Sequence, residues 1–222
     1  MVGHALAFAP RAETRALWDR TIAIAFAIGS TCFFLGPFPG FTQLVGSAAD
    51  AWVFFGGSLF FTFAAGLELR EATVRMGRWP ADPSWWSAAI QFAGTILFNL
   101  STFAATQEGL TSEQTNRLVW APDAFGSTAF LASGLLAYRV AVRAARRPLR
   151  SDQGWRMAAI NLAGCVLFGI SAVASFIVPS EGSILDLAAA NWATALGGLC
   201  FLVGSLMLLS PDSGEAAAGG GT

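Results

Sequence analysis

Six stretches of about 20 residues run through this chain with almost no charge, which restricts its fold more than any other feature. A helix rises 1.5 Å per residue, so roughly 20 apolar residues cross the ~30 Å hydrocarbon core of a bilayer. The predicted spans are 21–36, 51–67, 85–106, 118–140, 157–178 and 187–209. A soluble chain of 222 residues cannot bury six such helices, because those outside its core would need a polar face. Composition agrees: 55% of residues are hydrophobic and 12% charged, against about 25% charged in a soluble domain. These values argue against a soluble enzyme, a nucleic-acid binder and a secreted disulfide scaffold. Between the first two spans, Pro37 and Pro39 with Gly36 and Gly40 break the apolar run, because proline lacks an amide hydrogen and clashes with the preceding turn. The PFPG segment is expected to be an outer turn.

Arginine sets the orientation. The chain has no lysine, and its 13 basic residues are all arginine. Arg11, Arg15 and Arg20 precede the first span. Arg70, Arg75 and Arg78 lie between the second and third. Arg139, Arg143, Arg146, Arg147, Arg150 and Arg156 surround the loop between the fourth and fifth. Only Arg117 falls on the other side, which carries Asp50, Glu108, Glu113, Asp123, Glu181 and Asp186. The positive-inside rule places the arginine side in the cytoplasm, and six crossings then put both termini there. The expected organisation is a cytoplasmic segment over 1–17, a six-helix membrane domain over 18–210, and a disordered cytoplasmic tail over 211–222. Arg143, Arg146, Arg147 and Arg150 could hold anionic lipid head groups, or could serve as a topology signal alone.

The spans also resemble one another. Residues 88–101, AAIQFAGTILFNLS, align with residues 158–171, AAINLAGCVLFGIS, and Trp85 aligns with Trp155 at the same offset. Ala88, Ala89, Ile90, Ala93, Gly94, Leu97, Phe98 and Ser101 have identical partners, and Gln91 faces Asn161. FGGSLFFTFAAG in the second span resembles FGSTAFLASG in the fourth and LGGLCFLVGS in the sixth, while IGSTCF in the first matches AGTILF and AGCVLF. The predicted fold is therefore an all-α integral membrane protein. Its six helices form three parallel two-helix repeats, over 18–70, 85–140 and 155–209, related by an axis along the membrane normal. Stripes of small residues at Ser58, Thr62 and Gly66, at Ala129, Ser133 and Ala137, and at Ala193 and Gly197 would let helices approach closely. Phenylalanine and leucine between them are expected to face lipid or fill gaps. Trp52, Trp85, Trp86, Trp120, Trp155 and Trp192 lie near span ends, as in an aromatic belt.

Few residues could carry chemistry. Gln91 and Asn161 occupy matching places near the cytoplasmic end of their spans. They could line a polar pocket or make interhelical hydrogen bonds. Asn99, Ser101 and Ser171 lie deeper or toward the outer half. No arginine, histidine, aspartate or glutamate falls at a clear midplane position, which points away from an ion-coupled pump. Asp50, Asp123 and Asp186 near the outer starts of even spans could cap their helices, or form a rim that attracts a cation. Cys32, Cys165 and Cys200 are dispersed, His4 is the only histidine, and no lysine exists for a Schiff base. No metal site, cofactor site or catalytic set is predicted, and the chain is not read as an enzyme.

The segment 191–209, NWATALGGLCFLVGSLMLL, resembles small bacterial inner-membrane proteins described as YrhK-like. It does so through Trp192, Gly197, Phe201, Gly204 and Ser205. That resemblance implies a multi-pass location in the bacterial inner membrane and a hairpin architecture. The reading that follows is a structural or partner-binding membrane protein with the bilayer as its one evident partner. The alternative is a small transporter or channel with a pocket near Gln91 and Asn161.

Overall fold

The structure is a computed structural model that describes residues 12–76, 82–145 and 151–209. Its helices are α1 (Ala12–Leu35), α2 (Pro39–Val45), α3 (Ser47–Met76), α4 (Pro83–Ala105), α5 (Ser112–Thr115), α6 (Ala121–Ala144), α7 (Gln153–Ala174) and α8 (Leu187–Leu208). A π-helical turn, Asn116–Trp120, joins α5 to α6, and a small hairpin of β1 (Ile177–Val178) and β2 (Ser183–Ile184) joins α7 to α8. Six of these helices are long and apolar enough to cross a membrane. The chain is an all-α, multi-pass membrane protein.

Several boundaries differ from those expected. The first span begins earlier, since Ala12 to Leu17 belong to α1. The second runs on to Met76, nine residues past the expected end. The fifth stops at Ala174, and Ile177 and Val178 form a strand instead. The PFPG turn leads directly into α2, whose first residue is Pro39. A proline fits there because the first helical amide needs no partner. The tail at 211–222, Arg11, Arg78, Arg146, Arg147 and Arg150 lie outside the described residues.

Helix starts follow from capping aspartates. Asp82, Asp152 and Asp186 accept backbone N–H bonds from Ser84, Trp155 and Ala189, opening α4, α7 and α8, a contribution of about 1 kcal/mol each. Thr111 and Gln114 form a reciprocal capping box on α5. In the outer hairpin, Gly182 sits at φ 67°, a left-handed turn conformation that favours glycine. Asn116 ties that hairpin to the π turn: its Nδ2 donates to the Ile177 carbonyl at 2.7 Å, and its Oδ1 accepts from the Ile177 amide at 3.0 Å. Trp120 donates to the Ala172 carbonyl at 2.7 Å and packs edge-on against Phe176.

The six long helices close into a ring in chain order. α1 packs on α3, α3 on α4, α4 on α6, α6 on α7, α7 on α8, and α8 back on α1. One phenylalanine from each fills the middle: Phe33, Phe61, Phe98, Phe130, Phe168 and Phe201, all buried. Their centroids approach to between 4.8 Å, for Phe98 with Phe130, and 6.5 Å, for Phe130 with Phe168. Aromatic pairs of this kind contribute about 0.5–1.5 kcal/mol each beyond burial. These phenylalanines neither face lipid nor fill side gaps. They are the core.

A reciprocal contact brings them inward. A Cβ on Gly29 would lie 2.8 Å from the Phe61 ring, and one on Gly57 would lie 3.4 Å from Phe33. The same exchange links Gly94 to Phe130 and Gly126 to Phe98, and again Gly164 to Phe201 and Gly197 to Phe168. Each phenyl ring thus rests on the bare backbone of the neighbouring helix. The expected small stripes act differently. Gly197 does mark a close approach, but Ser58 and Ser133 work mainly through hydroxyl bonds, to Thr102 at 2.9 Å and to the Ser87 carbonyl at 2.8 Å. The outward faces expose large apolar residues such as Phe63, Leu100, Val173 and Leu206, as lipid contact requires. Trp52, Trp86 and Trp192 are also exposed.

Candidate functional site

Below the phenylalanine plug, on the arginine-bearing side, the ring opens into a cavity of about 450 Å³. Its polar wall comes from four helices: Glu68 and Glu71 on α3, Ser87 and Gln91 on α4, Asn161 on α7 and Ser205 on α8. Phe26 and Phe201 form its apolar part next to the plug. Among the described residues that line it, none is arginine or histidine. The volume falls within the range of small-molecule pockets, roughly 300–1,000 Å³.

Helical phase explains the arrangement. Phe26, Gln91 and Asn161 each stand three residues before the glycine that seats a phenyl ring, Gly29, Gly94 and Gly164. That spacing puts all three on the inward face. Glu68, Ala137 and Leu208 each stand seven residues after Phe61, Phe130 and Phe201, two turns along the same face, and all three line the cavity. One place in each set thus carries a different side chain on every hairpin, so the cavity wall is chemically lopsided.

Gln91 is held from two sides. Its Nε2 donates to Glu68 Oε2 at 3.4 Å, and its Oε1 accepts from the Ser133 hydroxyl at 3.2 Å. Ser133 also bonds Ser87, whose own hydroxyl donates to the Ser133 carbonyl at 3.0 Å. Asn161 makes no hydrogen bond with a described residue, and its amide oxygen abuts the open backbone of Gly204. Gln91 is an interhelical bridge that also lines the cavity, and Asn161 lines it without such a bond.

The remaining candidates lie elsewhere. Asn99, Ser101 and Ser171 are not in this wall. Phe98 and Phe168 precede them, so they lie on the far side of the plug. Ser171 shares a 2.6 Å hydrogen bond with Thr194 and donates to the Ala190 carbonyl. Ser101 is buried, and Asn99 Oδ1 is buried without a partner. Of the three outer aspartates only Asp186 caps a helix with its side chain. Asp50 accepts from the Thr42 hydroxyl at 2.9 Å instead, tying α3 to α2. Asp123, in the first turn of α6, makes no hydrogen bond with a described residue. The three do not gather into a group that could hold a metal ion among the described residues. Arg143, on the last turn of α6, is exposed.

Sequence reasoning missed Glu68, the Ser87–Ser133 pair and the phenylalanine plug. Glu68 follows directly on the expected end of the second span, and its seven-residue spacing from Phe61 was the available signal. Comparison of the chain with known protein families, curated proteins and solved structures finds no match.

Proposed function

We propose that this protein is a small transporter or channel of the bacterial inner membrane whose vestibule binds a small polar or positively charged solute. The observation that carries this reading is the cavity between Gln91 and Asn161, with Glu68 in its wall and no basic residue among its described lining. A carboxylate inside a membrane domain is costly and marks function more often than packing. The plug above it suits the closed state of a path open on one side. Taken alone, that packed centre also suits the structural or partner-binding reading, but such a protein has no need of a polar vestibule.

The same proposal includes three copies of a two-helix unit, and the threefold recurrence of the glycine–phenylalanine exchange supports it. Parallel repeats commonly surround a central path. The YrhK-like resemblance supports the bacterial location. The arginine distribution supports a vestibule open to the cytoplasm, and Arg143, with Arg146, Arg147 and Arg150 beyond the described residues, would meet anionic lipid on that side. Cysteines introduced in the 110s should then react with a membrane-impermeant reagent in intact cells, and one near Ser151 only after permeabilisation. The reverse pattern would invert the orientation.

Binding is tested on purified protein with methylammonium, tetramethylammonium and guanidinium as probes. At least one should raise the thermal unfolding midpoint, and Asn161→Leu should abolish that rise while lowering the midpoint itself by no more than a few degrees. If no probe, and no neutral polar solute of similar size, stabilises the protein in an Asn161-dependent way, the structural reading stands instead.

A further inference from the structure

A second carboxylate lies on the opposite side of the plug. Asp123 stands seven residues before Phe130 on α6, as Glu68 stands seven after Phe61 on α3. The rings of Phe61 and Phe130 are 6.3 Å apart, so they mark one level. The two helices run in the same direction. Each acid is therefore displaced about 10 Å along the axis from the plug, in opposite directions, by seven residues at 1.5 Å. Asp123 shares the inward stripe of α6 with Gly126, Ser127 and Phe130, all buried, and it is itself partly buried.

Packing does not account for this aspartate. The matching places on the other hairpins hold Phe54 and Thr194, so an apolar or hydroxyl side chain suits the position. Thr194 bonds Ser171 there, and the residue matching Ser171 on α4 is the buried Ser101. The hydroxyls of Thr194, Ser171 and Ser101 thus lie at the outer level beside Phe54, whereas Gln91, Ser87 and Ser205 lie at the inner one. Between the two polar levels lies a single layer of six phenyl rings. An apolar constriction of this kind stops conduction by excluding water and passes charge once wetted.

We infer that the ring centre is a gated proton path in which Glu68 and Asp123 are the two stations and the six phenylalanines are the gate. This goes beyond solute binding in the vestibule, because it concerns the closed half of the molecule. When water enters the plug, a protonated carboxyl on one side releases its proton to the water chain, and the chain delivers a proton to the carboxylate on the other. One O–H bond breaks and one forms, and no other reactant is needed. Among the described residues, Glu71 is the other ionisable group in the cavity wall, on the same side as Glu68. A single file of water is enough to carry a proton through this layer, whereas a hydrated metal cation needs a wider opening, so the path is for protons.

The test uses the full chain in liposomes with a pH-sensitive dye inside and a potassium gradient, with and without valinomycin. The unaltered protein should pass protons slowly. Phe130→Ala should raise proton flux at least about tenfold by letting water into the constriction, without a matching rise in potassium flux if the opening admits only a file of water. Adding Glu68→Gln or Asp123→Asn to Phe130→Ala should return the flux to the unaltered level. If Phe130→Ala does not assemble, Phe130→Val and Phe61→Val make a smaller opening in the same layer. Equal potassium and proton leak, flux that survives loss of both acids, or no rise in any plug variant would each overturn the proposal. Probe binding at Asn161 is measured separately, so the solute reading can fail while the path stands, and the reverse.

Discussion

Gly198→Ala should destabilise the protein more than alanine at Gly164 or Gly197, by about 2–3 kcal/mol for a forced overpacking. A Cβ at Gly198 would lie 2.7 Å from the Phe34 amide nitrogen and 2.9 Å from the Phe33 carbonyl carbon. Both are backbone atoms of α1, so no side-chain rotation relieves the contact and the helices must separate. The matching positions on the other hairpins are Ser58 and Ser127, both buried. The contact of α8 with α1 is therefore closer than its counterparts. At Gly197 or Gly164 the nearest atoms belong to phenyl rings, which can yield by a small shift, so alanine there should cost less. Gly56→Ala is the control. Nothing lies within 4 Å of its Cβ position, and alanine in a helix interior is favoured over glycine by roughly 0.5–1 kcal/mol. Thermal unfolding midpoints in one detergent should rank Gly56→Ala at or above the unaltered protein and Gly198→Ala lowest. Equal midpoints for Gly197→Ala and Gly198→Ala would contradict the assigned closeness of the α1–α8 contact.

Gln91→Leu should cost about 2–3 kcal/mol, whereas Asn161→Leu at the matching place should cost less than about 1 kcal/mol, because only the first strands buried polar partners. Gln91 joins Glu68 on α3 to Ser133 on α6. Leucine there leaves a carboxylate in the membrane interior with one fewer donor and takes one of the Ser133 hydroxyl's partners, leaving it the Ser87 carbonyl. Asn161 bridges nothing among the described residues. The cause is separable with a double-mutant cycle. Glu68→Leu in the Gln91→Leu background should restore part of the lost stability if the stranded carboxylate is responsible. Absence of coupling would place the loss in the α4–α6 packing instead. The pair also separates fold from function, since the stable Asn161→Leu protein is the one expected to lose its ligand.

Much of this fold is legible in the sequence. Hydropathy finds six spans because lipid enforces length and low charge on each. The offset of 70 places Gln91 opposite Asn161 before any coordinates are considered, and the structure brings both into one cavity. The phenylalanine plug is not legible in the same way. In water an apolar residue points inward, but in lipid both faces of a helix are apolar. Phe63, which is exposed, and Phe61, which is buried, read alike. The glycine four residues before each plug phenylalanine is the better guide, since it marks the face that has a close neighbour. Glu68 escaped because a span drawn by hydropathy ends at the first charge, although α3 continues for two more turns. The π-helical turn and the outer hairpin were missed for a simpler reason: the Asn116 clamp that fixes them joins residues 61 positions apart.

Because the helices stand around the ring in the order in which they are made, assembly needs no crossing chain. Each hairpin can enter the bilayer and settle against its predecessor, and only the seam between α1 and α8 joins the first helix to the last. An even number of crossings leaves the two ends of the ring on the same face of the membrane, at adjacent helices. Linking those ends and cutting another loop on that face would give a circular permutant with every lateral contact intact, since such changes are tolerated where little packing is disturbed. What the chain calls its beginning is, for the packed ring, an arbitrary place.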